Sequence, residues 1–146
     1  MFVETLLSAA RERLVTIADD APLIQAARLL RSGTDILVVC SSAGILRGVI
    51  TKTDVVGQIS QCQGAGCVVS SSVAMTHDVM LCRSGDVLED LWTRMNERSL
   101  KNIPFVDEES RPVGVLNARD MLQALLKEAA NEEIMMRDYV LGFGYR

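Results

Sequence analysis

Apolar residues recur along this chain at two kinds of spacing, and the two kinds alternate in the same order twice. At 23–30 and again at 88–95 they stand three or four positions apart, which predicts amphipathic helices. Short continuous apolar runs follow at 36–40 and 103–106 and predict buried strands. A turn-like segment, a second apolar run and another helical stretch come next in both halves. The pattern therefore predicts the order helix, strand, turn, strand, helix, present twice.

The second predicted strand of each half leads into the same short phrase. It reads Gly-Val-Ile-Thr-Lys-Thr-Asp at 48–54 and Gly-Val-Leu-Asn-Ala-Arg-Asp at 114–120. The two closing aspartates, Asp54 and Asp120, lie 66 positions apart. Such a duplicated phrase indicates an internal repeat, in which two structural units pack on one another.

An extended run precedes the first helix of each half, at 14–17 and at 79–82, and completes a β-α-β-β-α unit. A small sheet with helices on one face leaves apolar surface that a second copy covers. The predicted fold class is therefore α/β (α+β), with two such units and additional helices at the N- and C-termini.

The repeats divide the chain into five predicted segments. An N-terminal helix at 1–13 precedes repeat 1 at 14–60, and a connecting segment at 61–78 precedes repeat 2 at 79–126. A C-terminal helix and tail occupy 127–146. The terminal apolar stripes predict core packing or a contact between subunits, because their methionines adapt to irregular surfaces.

The repeated phrase has two interpretations, which remain open together. Thr51 and Asp54 stand three positions apart, as in a capping box that satisfies the first N–H groups of a helix, and Asn117 and Asp120 have the same spacing. The same helix start suits a nucleotide: backbone N–H groups and the hydroxyls of Thr51 and Thr53 favour a phosphate, while aspartate accepts hydrogen bonds from a ribose diol.

Composition excludes several classes of protein. With 146 residues, 49% of them hydrophobic, the chain is long enough to bury a continuous core. No run approaches the roughly 18 apolar residues of a membrane span, and no secretory leader pattern is visible, so we expect a cytoplasmic protein without membrane contact. The formal net charge of −4, with scattered basic residues, disfavours a nucleic-acid interface.

These motifs resemble those of a tandem cystathionine-β-synthase (CBS) domain pair, also called a Bateman module. The two Gly-Val phrases carry the resemblance, together with 103–107, which is similar to the family's Leu-Pro-Val-Val-Asp strand, and 73–79, which is similar to its Val-Met-Thr lead-in. The resemblance covers 14–126. The tail at 136–140 is similar to the end helix of small bacterial proteins built of little besides a CBS pair.

The resemblance implies two repeats related by a pseudo-twofold axis, with two clefts between them. Each cleft would hold an adenosine-containing ligand: AMP, ADP, ATP, NAD(H) or S-adenosylmethionine. Such a protein is regulatory and non-enzymatic, senses energy state, and signals through its conformation or through the arrangement of a homodimer to a partner that the sequence does not identify.

The resemblance also assigns residues to the first cleft. Asp54 would hold the ribose, Thr51 and Thr53 would lie near the phosphates, and Val49 would face the adenine. The rest of the adenine wall would come from the other repeat, at Val79, Leu100 and Lys101.

In the second cleft, Asp120 would hold the ribose and Val115 would face the base. Leu14, Gly33 and Thr34 would complete the wall. Asn117 replaces the usual Ser or Thr, and Arg119 stands where the first repeat has Thr53. We therefore expect the second cleft to prefer a different ligand or none.

The cysteines support a rival hypothesis. Cys62 and Cys67 flank a glycine-containing segment, and a thiol-redox or metal-responsive protein would use this pair. Their spacing is not the usual two-residue gap of zinc sites, and no basic residue nearby would lower a thiol pKa, so we expect no metal. A purely structural dimerisation module is the other alternative. His77 is the only histidine, and no serine lies in a nucleophile-elbow pattern, so we expect no catalytic site.

Overall fold

The computed structural model describes residues 1–31, 33–61 and 69–140, and it has the predicted mixed α/β fold. The elements of the first half are a 3₁₀ turn at Val3–Leu6, α1 (Leu7–Glu12), β1 (Thr16–Ala18), α2 (Leu23–Leu29), β2 (Ile36–Cys40), β3 (Leu46–Thr51) and α3 (Lys52–Gln61). Those of the second half are α4 (Ser71–Ala74), α5 (Leu88–Glu97), β4 (Asn102–Val106), β5 (Pro112–Asn117) and α6 (Ala118–Val140).

The two halves pair their strands in equivalent registers. β2 and β3 are antiparallel with Val38 opposite Val49, and β4 and β5 are antiparallel with Pro104 opposite Val115. Since Val49 and Val115 occupy the same place in the repeated phrase, Val38 and Pro104 are equivalent positions. A bulge near the end of each first strand, at Cys40 and at Val106, also recurs.

The predicted opening strand forms only in the first half. β1 runs parallel to β2, and the Val38 N–H donates to the Val15 carbonyl at 2.9 Å. In the second half, the run at 79–82 contributes only an isolated bridge between Cys82 and Phe105. The strand predicted there is reduced to this parallel bridge, because the position equivalent to Val38 is Pro104, which has no N–H to donate to a longer ladder.

The terminal segments are continuous with the repeats. α1 follows the 3₁₀ turn and ends at Glu12, and α6 runs unbroken through the predicted division at residue 127. Neither glycine nor proline occurs between 118 and 140, so nothing in the sequence interrupts this helix. The glycines predicted to stop it, Gly142 and Gly144, lie outside the described residues.

The glycine of each repeated phrase lets a segment of the other half of the chain cross the strand. A Cβ on Gly114 would lie 2.7 Å from the Cβ of Ala10 in α1, and a Cβ on Gly48 would lie 2.6 Å from the carbonyl oxygen of Thr76. Real Cβ atoms do not approach other atoms so closely. The segment before repeat 1 therefore packs on repeat 2, and the segment before repeat 2 packs on repeat 1.

Among the described residues, the core has one cluster for each repeat and a third cluster shared between them. Leu37 and Val39 of β2 point into the core of repeat 1, which also contains Leu23 and Ile50. Their neighbours on the opposite face of β2 point into the shared cluster, as expected when successive strand residues alternate. That cluster consists of Ile36, Val38, Val49 and Val115. It brings the phrase of one repeat next to that of the other.

Candidate functional site

A cavity of about 590 Å³ opens beside the first repeated phrase. All seven residues that the sequence analysis assigned to the first cleft line it: Val49, Thr51, Thr53, Asp54, Val79, Leu100 and Lys101. The first four come from the end of β3 and the start of α3, whereas the others come from segments of the second half. The cavity is therefore built by both halves of the chain.

Asp54 is held by hydrogen bonds from neutral donors. Its Oδ2 accepts the Thr51 N–H at 2.9 Å and the Thr51 hydroxyl at 3.2 Å. The Thr51 Oγ1 in turn accepts the Asp54 N–H at 3.5 Å, so the pair forms the capping box predicted from the sequence. The Thr76 hydroxyl donates to Asp54 Oδ1 at 3.1 Å. A carboxylate has about four acceptor positions, so these three bonds leave room on Oδ1, and no cation pairs with Asp54 in the described part of the chain.

The rim of this cavity carries cations that the sequence analysis did not assign to it. Lys52 and Arg98 line it together with Lys101. Lys52 Nζ lies 3.9 Å from Asp35, and Arg98 Nη2 lies 3.7 Å from Asp78, with all four side chains substantially exposed. Exposed pairs at these distances are weak, so both cations remain available to an anionic ligand. Lys52 stands inside the phrase and was visible in the sequence. Arg98 follows α5, and only the tertiary fold brings it here.

The inner wall of the same cavity is apolar. Val49 is only 8% exposed and belongs to the shared core cluster, against which Val79 also packs. Further apolar lining comes from Ile36, Met80, Leu100, Ile103 and Pro104. An apolar wall with a carboxylate on one side and cations at the rim suits a ligand that has a flat base, a diol and an anionic group.

A second, smaller cavity of about 400 Å³ lies beside the second phrase. Four of the residues assigned to it line this cavity: Gly33, Thr34, Val115 and Asp120. Two do not. Leu14 packs against the shared core cluster, and its neighbour Val15 lines the cavity in its place. The amide of Asn117 donates to Asn102 Oδ1 at 2.8 Å, which directs it to the adjacent strand.

Asp120 has a different partner from Asp54. Arg13 donates two hydrogen bonds to Asp120, from Nε to Oδ2 at 2.7 Å and from Nη2 to Oδ1 at 3.2 Å. The bond to Asp120 raises the pKa of the Arg13 guanidinium, against a smaller opposing effect of burial. The predicted capping box between Asn117 and Asp120 is not formed. The Asn117 Oδ1 accepts the Arg119 N–H at 2.9 Å instead, and the Asp120 carboxylate is bonded to the guanidinium of Arg13.

The two described cysteines are poor candidates for redox chemistry. Cys82 is fully buried, and burial raises the pKa of its thiol to about 12. Burial, assisted by the charge of Asp19, also raises the pKa of Cys40. Raised pKa values disfavour the reactive thiolate. The pair on which the redox hypothesis rests, Cys62 and Cys67, lies outside the described residues.

Two further features of the described residues bear on the alternatives. Within 1–31, 33–61 and 69–140, no three His, Cys, Asp or Glu side chains are grouped so that they would hold a metal ion. In the same ranges, no helix combines the length and the apolar character needed to cross a membrane.

Comparison with known proteins identifies the duplicated unit. The model of the CBS domain family matches residues 4–61 and, a second time, residues 69–127. The choline transport ATP-binding protein OpuBA of Bacillus subtilis is 28% identical over 120 residues, which are 82% of this chain and 30% of that protein. The chain therefore spans under a third of the length of this curated relative.

Solved structures show the same fold. The CBS-domain protein ATU1752 of Agrobacterium tumefaciens is 27% identical with a TM-score of 0.71, and the match covers 84% of this chain and 92% of that one. The CBS domain pair of protein MJ0100, solved in complex with 5′-methylthioadenosine and S-adenosyl-L-methionine, is 18% identical with a TM-score of 0.69 over 84% of this chain and 96% of that one.

Proposed function

Because this chain belongs to the CBS domain family, with two copies of the domain in tandem, we propose that it is a non-enzymatic regulatory module that binds an adenosine-containing ligand in the cleft of Asp54. The observation that carries the proposal is the single cavity around the seven residues that the family resemblance assigned to that cleft. Its volume of about 590 Å³ lies within the usual range of small-molecule sites. A structural relative in complex with two adenosine compounds supports the choice of ligand class.

Each part of the proposed ligand has a partner of suitable chemistry. The ribose diol donates to Asp54, whose charge is not neutralised by a described cation. The adenine lies against Val49, Val79 and Leu100. Phosphates, or another anionic group, lie toward Thr53 and the cations Lys52, Arg98 and Lys101. AMP, ADP, ATP, NAD(H) and S-adenosylmethionine share the adenine and the ribose diol and differ in the group that would reach the rim.

Thr76 connects the cleft to the segment between the repeats. Its hydroxyl donates to Asp54 Oδ1, and its backbone pairs with Val49 through two hydrogen bonds of 2.8 and 3.1 Å. A ribose hydroxyl that donates to the open position on Oδ1 would share this acceptor atom with Thr76, so the ligand and the segment would contact the same carboxylate. A ligand shifts an equilibrium only through its different affinity for the two states, and this shared contact would supply such a difference. The arrangement would be read by a regulated partner in the cytoplasm.

We also propose that the module works as a homodimer. Five large apolar side chains of α6 are exposed in the single chain: Leu122 (41%), Leu126 (60%), Ile134 (55%), Met135 (71%) and Met136 (69%). Leu122 and Leu126 stand four positions apart and therefore share one face of α6, and an exposed apolar face supports a protein interface there. A dimer through α6 would connect the ligand-binding repeats of two subunits.

Calorimetric titration and thermal shift with AMP, ADP, ATP, NAD(H) and S-adenosylmethionine test the proposed function. We expect saturable binding of at least one of them. Asp54→Ala should weaken that binding at least tenfold, and Asp120→Ala should leave it unchanged. Because Asp54→Ala also removes a helix cap, which costs about 1 kcal/mol of stability, the informative quantity is the rise in Tm that the ligand produces.

Asp54→Asn separates the two roles of this residue, since its amide oxygen still accepts the Thr51 N–H while the negative charge is lost. Full ligand affinity in Asp54→Asn and Asp54→Ala would exclude this cleft as the site. Failure of all five ligands to bind the wild-type protein would favour the purely structural dimerisation module.

A further inference from the structure

The two clefts contain equivalent aspartates whose partners differ in charge. Asp54 accepts hydrogen bonds from one backbone N–H and two hydroxyl groups, all of them neutral. Asp120 has each of its oxygens bonded to a different nitrogen of the same guanidinium, that of Arg13. Such paired bonds to a planar cation are short, directional and stronger than bonds between neutral groups.

Arg13 reaches Asp120 because Gly114 lets α1 lie directly on β5. Ala10 of α1 touches the position that a side chain would fill at Gly114, and Arg13 follows one residue after α1 ends. In the other half, the segment that crosses Gly48 contributes the hydroxyl of Thr76 to Asp54. Counting by the 66-residue repeat, the position equivalent to Arg13 is Val79, which lines the first cavity with an apolar side chain.

The pair changes what the second cleft offers to a ligand. Both oxygens of Asp120 are already paired with this cation, and the side chain is only 20% exposed, so a ribose diol would meet a neutralised and partly covered carboxylate. Arg13 itself lines this cavity beside Val115 and Thr34, so it also occupies space. A base that entered along Val115 would meet the guanidinium where the first cleft presents Val79.

We infer that Arg13 closes the second cleft to adenosine-containing ligands by occupying Asp120, so that each chain binds one such ligand, at Asp54, and loss of Arg13 opens a second site. Arg13 thus adds to the differences between the two clefts that Asn117 and Arg119 indicated. The inference rests on the proposed function, because it concerns the same class of ligand in the equivalent cleft.

The test is the number of ligands bound per chain, measured by calorimetry with AMP, ATP and S-adenosylmethionine as probes. We expect about one equivalent for the wild type and about two for Arg13→Met, which keeps an unbranched side chain without the charge. Arg47→Met is a matched control, because Arg47 also pairs with a 20% exposed aspartate, Asp19, at 2.7 Å, and is 46% exposed against 42% for Arg13. This control should bind one equivalent.

The double variant Arg13→Met with Asp54→Ala reports the second cleft alone, so a failure of the first cleft does not hide the result. We expect it to bind one equivalent, and we expect further replacement of Asp120 by Ala to abolish that binding. The inference is overturned if Arg13→Met gains no second equivalent, if it binds more weakly than the wild type, or if the wild type already binds at both aspartates. Absence of wild-type binding together with one equivalent in Arg13→Met would support closure of the second cleft by Arg13 and would refute the proposed function at Asp54.

Discussion

Replacement of Gly48 by alanine tests whether the close crossing of the two halves is structurally required. The added Cβ would lie 2.6 Å from the carbonyl oxygen of Thr76 and 3.0 Å from the Sδ of Met75. Met75 is flexible, although it is buried, whereas the Thr76 oxygen belongs to the backbone. That oxygen accepts the Val49 N–H at 3.1 Å, and the Thr76 N–H donates to Val49 at 2.8 Å. The segment therefore withdraws only by breaking its pairing with β3.

The cost follows from these contacts. Overpacking of this kind costs about 1–3 kcal/mol, and each hydrogen bond lost contributes about 1 kcal/mol more. We expect a total near 3 kcal/mol. For 146 residues the entropy of unfolding is about 0.3 kcal/mol per kelvin, so Tm should fall by about 10 °C. The ligand-induced rise in Tm should also shrink, since Thr76 lines the first cavity.

Differential scanning calorimetry of the full chain measures both effects. Gly57→Ala is the matched control, because Gly57 lies in α3 with no atom within 4 Å of an added Cβ. Alanine is favoured over glycine inside a helix by about 1 kcal/mol, so this control should raise Tm by about 3 °C. A Gly48→Ala protein that melts within about 3 °C of the wild type would refute the reasoning.

Two further predictions concern the buried thiol and the exposed helix. Burial raises the pKa of the Cys82 thiol to about 12 in the folded protein, whereas the thiol of the unfolded chain has its ordinary pKa near 8.5. Above that pH the unfolded chain loses the thiol proton first, so the free energy of unfolding falls as pH rises. In urea unfolding between about pH 9 and 11, Cys82→Ala should reduce this decline by up to about 1.4 kcal/mol per pH unit, and an unchanged slope would contradict the assignment. Leu126 is 60% exposed on α6, and Leu126→Glu should lower the mass measured by light scattering toward that of the monomer. Ile45 is 39% exposed in a turn, and Ile45→Glu should leave the mass unchanged. Equal masses for both variants would exclude α6 as the interface.

The sequence predicted elements whose signal is local. β2 spans the same residues, 36–40, that the apolar run indicated, and the Thr51–Asp54 capping box forms as its spacing suggested. Both depend on neighbours a few positions apart, and such patterns are readable in one chain. The opening strand of repeat 2 is shorter than predicted and forms a single bridge, although the cause, Pro104, was visible in the sequence. The periodicity of the sequence did not show that Pro104 stands where the parallel pairing with the opening strand requires a backbone N–H, because the register of a strand is set by its pairing in the sheet.

The duplication, the CBS domain fold and the phrase that positions each aspartate were determined by the sequence alone, since a repeated pattern of side chains dictates a repeated local structure. The partner of each aspartate was decided by the tertiary structure. Arg13 and Asp120 are 107 positions apart, and they meet because α1 crosses β5 at Gly114. Arg98 likewise reaches the rim of the first cavity only after the repeats have packed. Electrostatic interactions depend on distance in space, and the crossing of the two halves sets that distance for residues far apart in the chain.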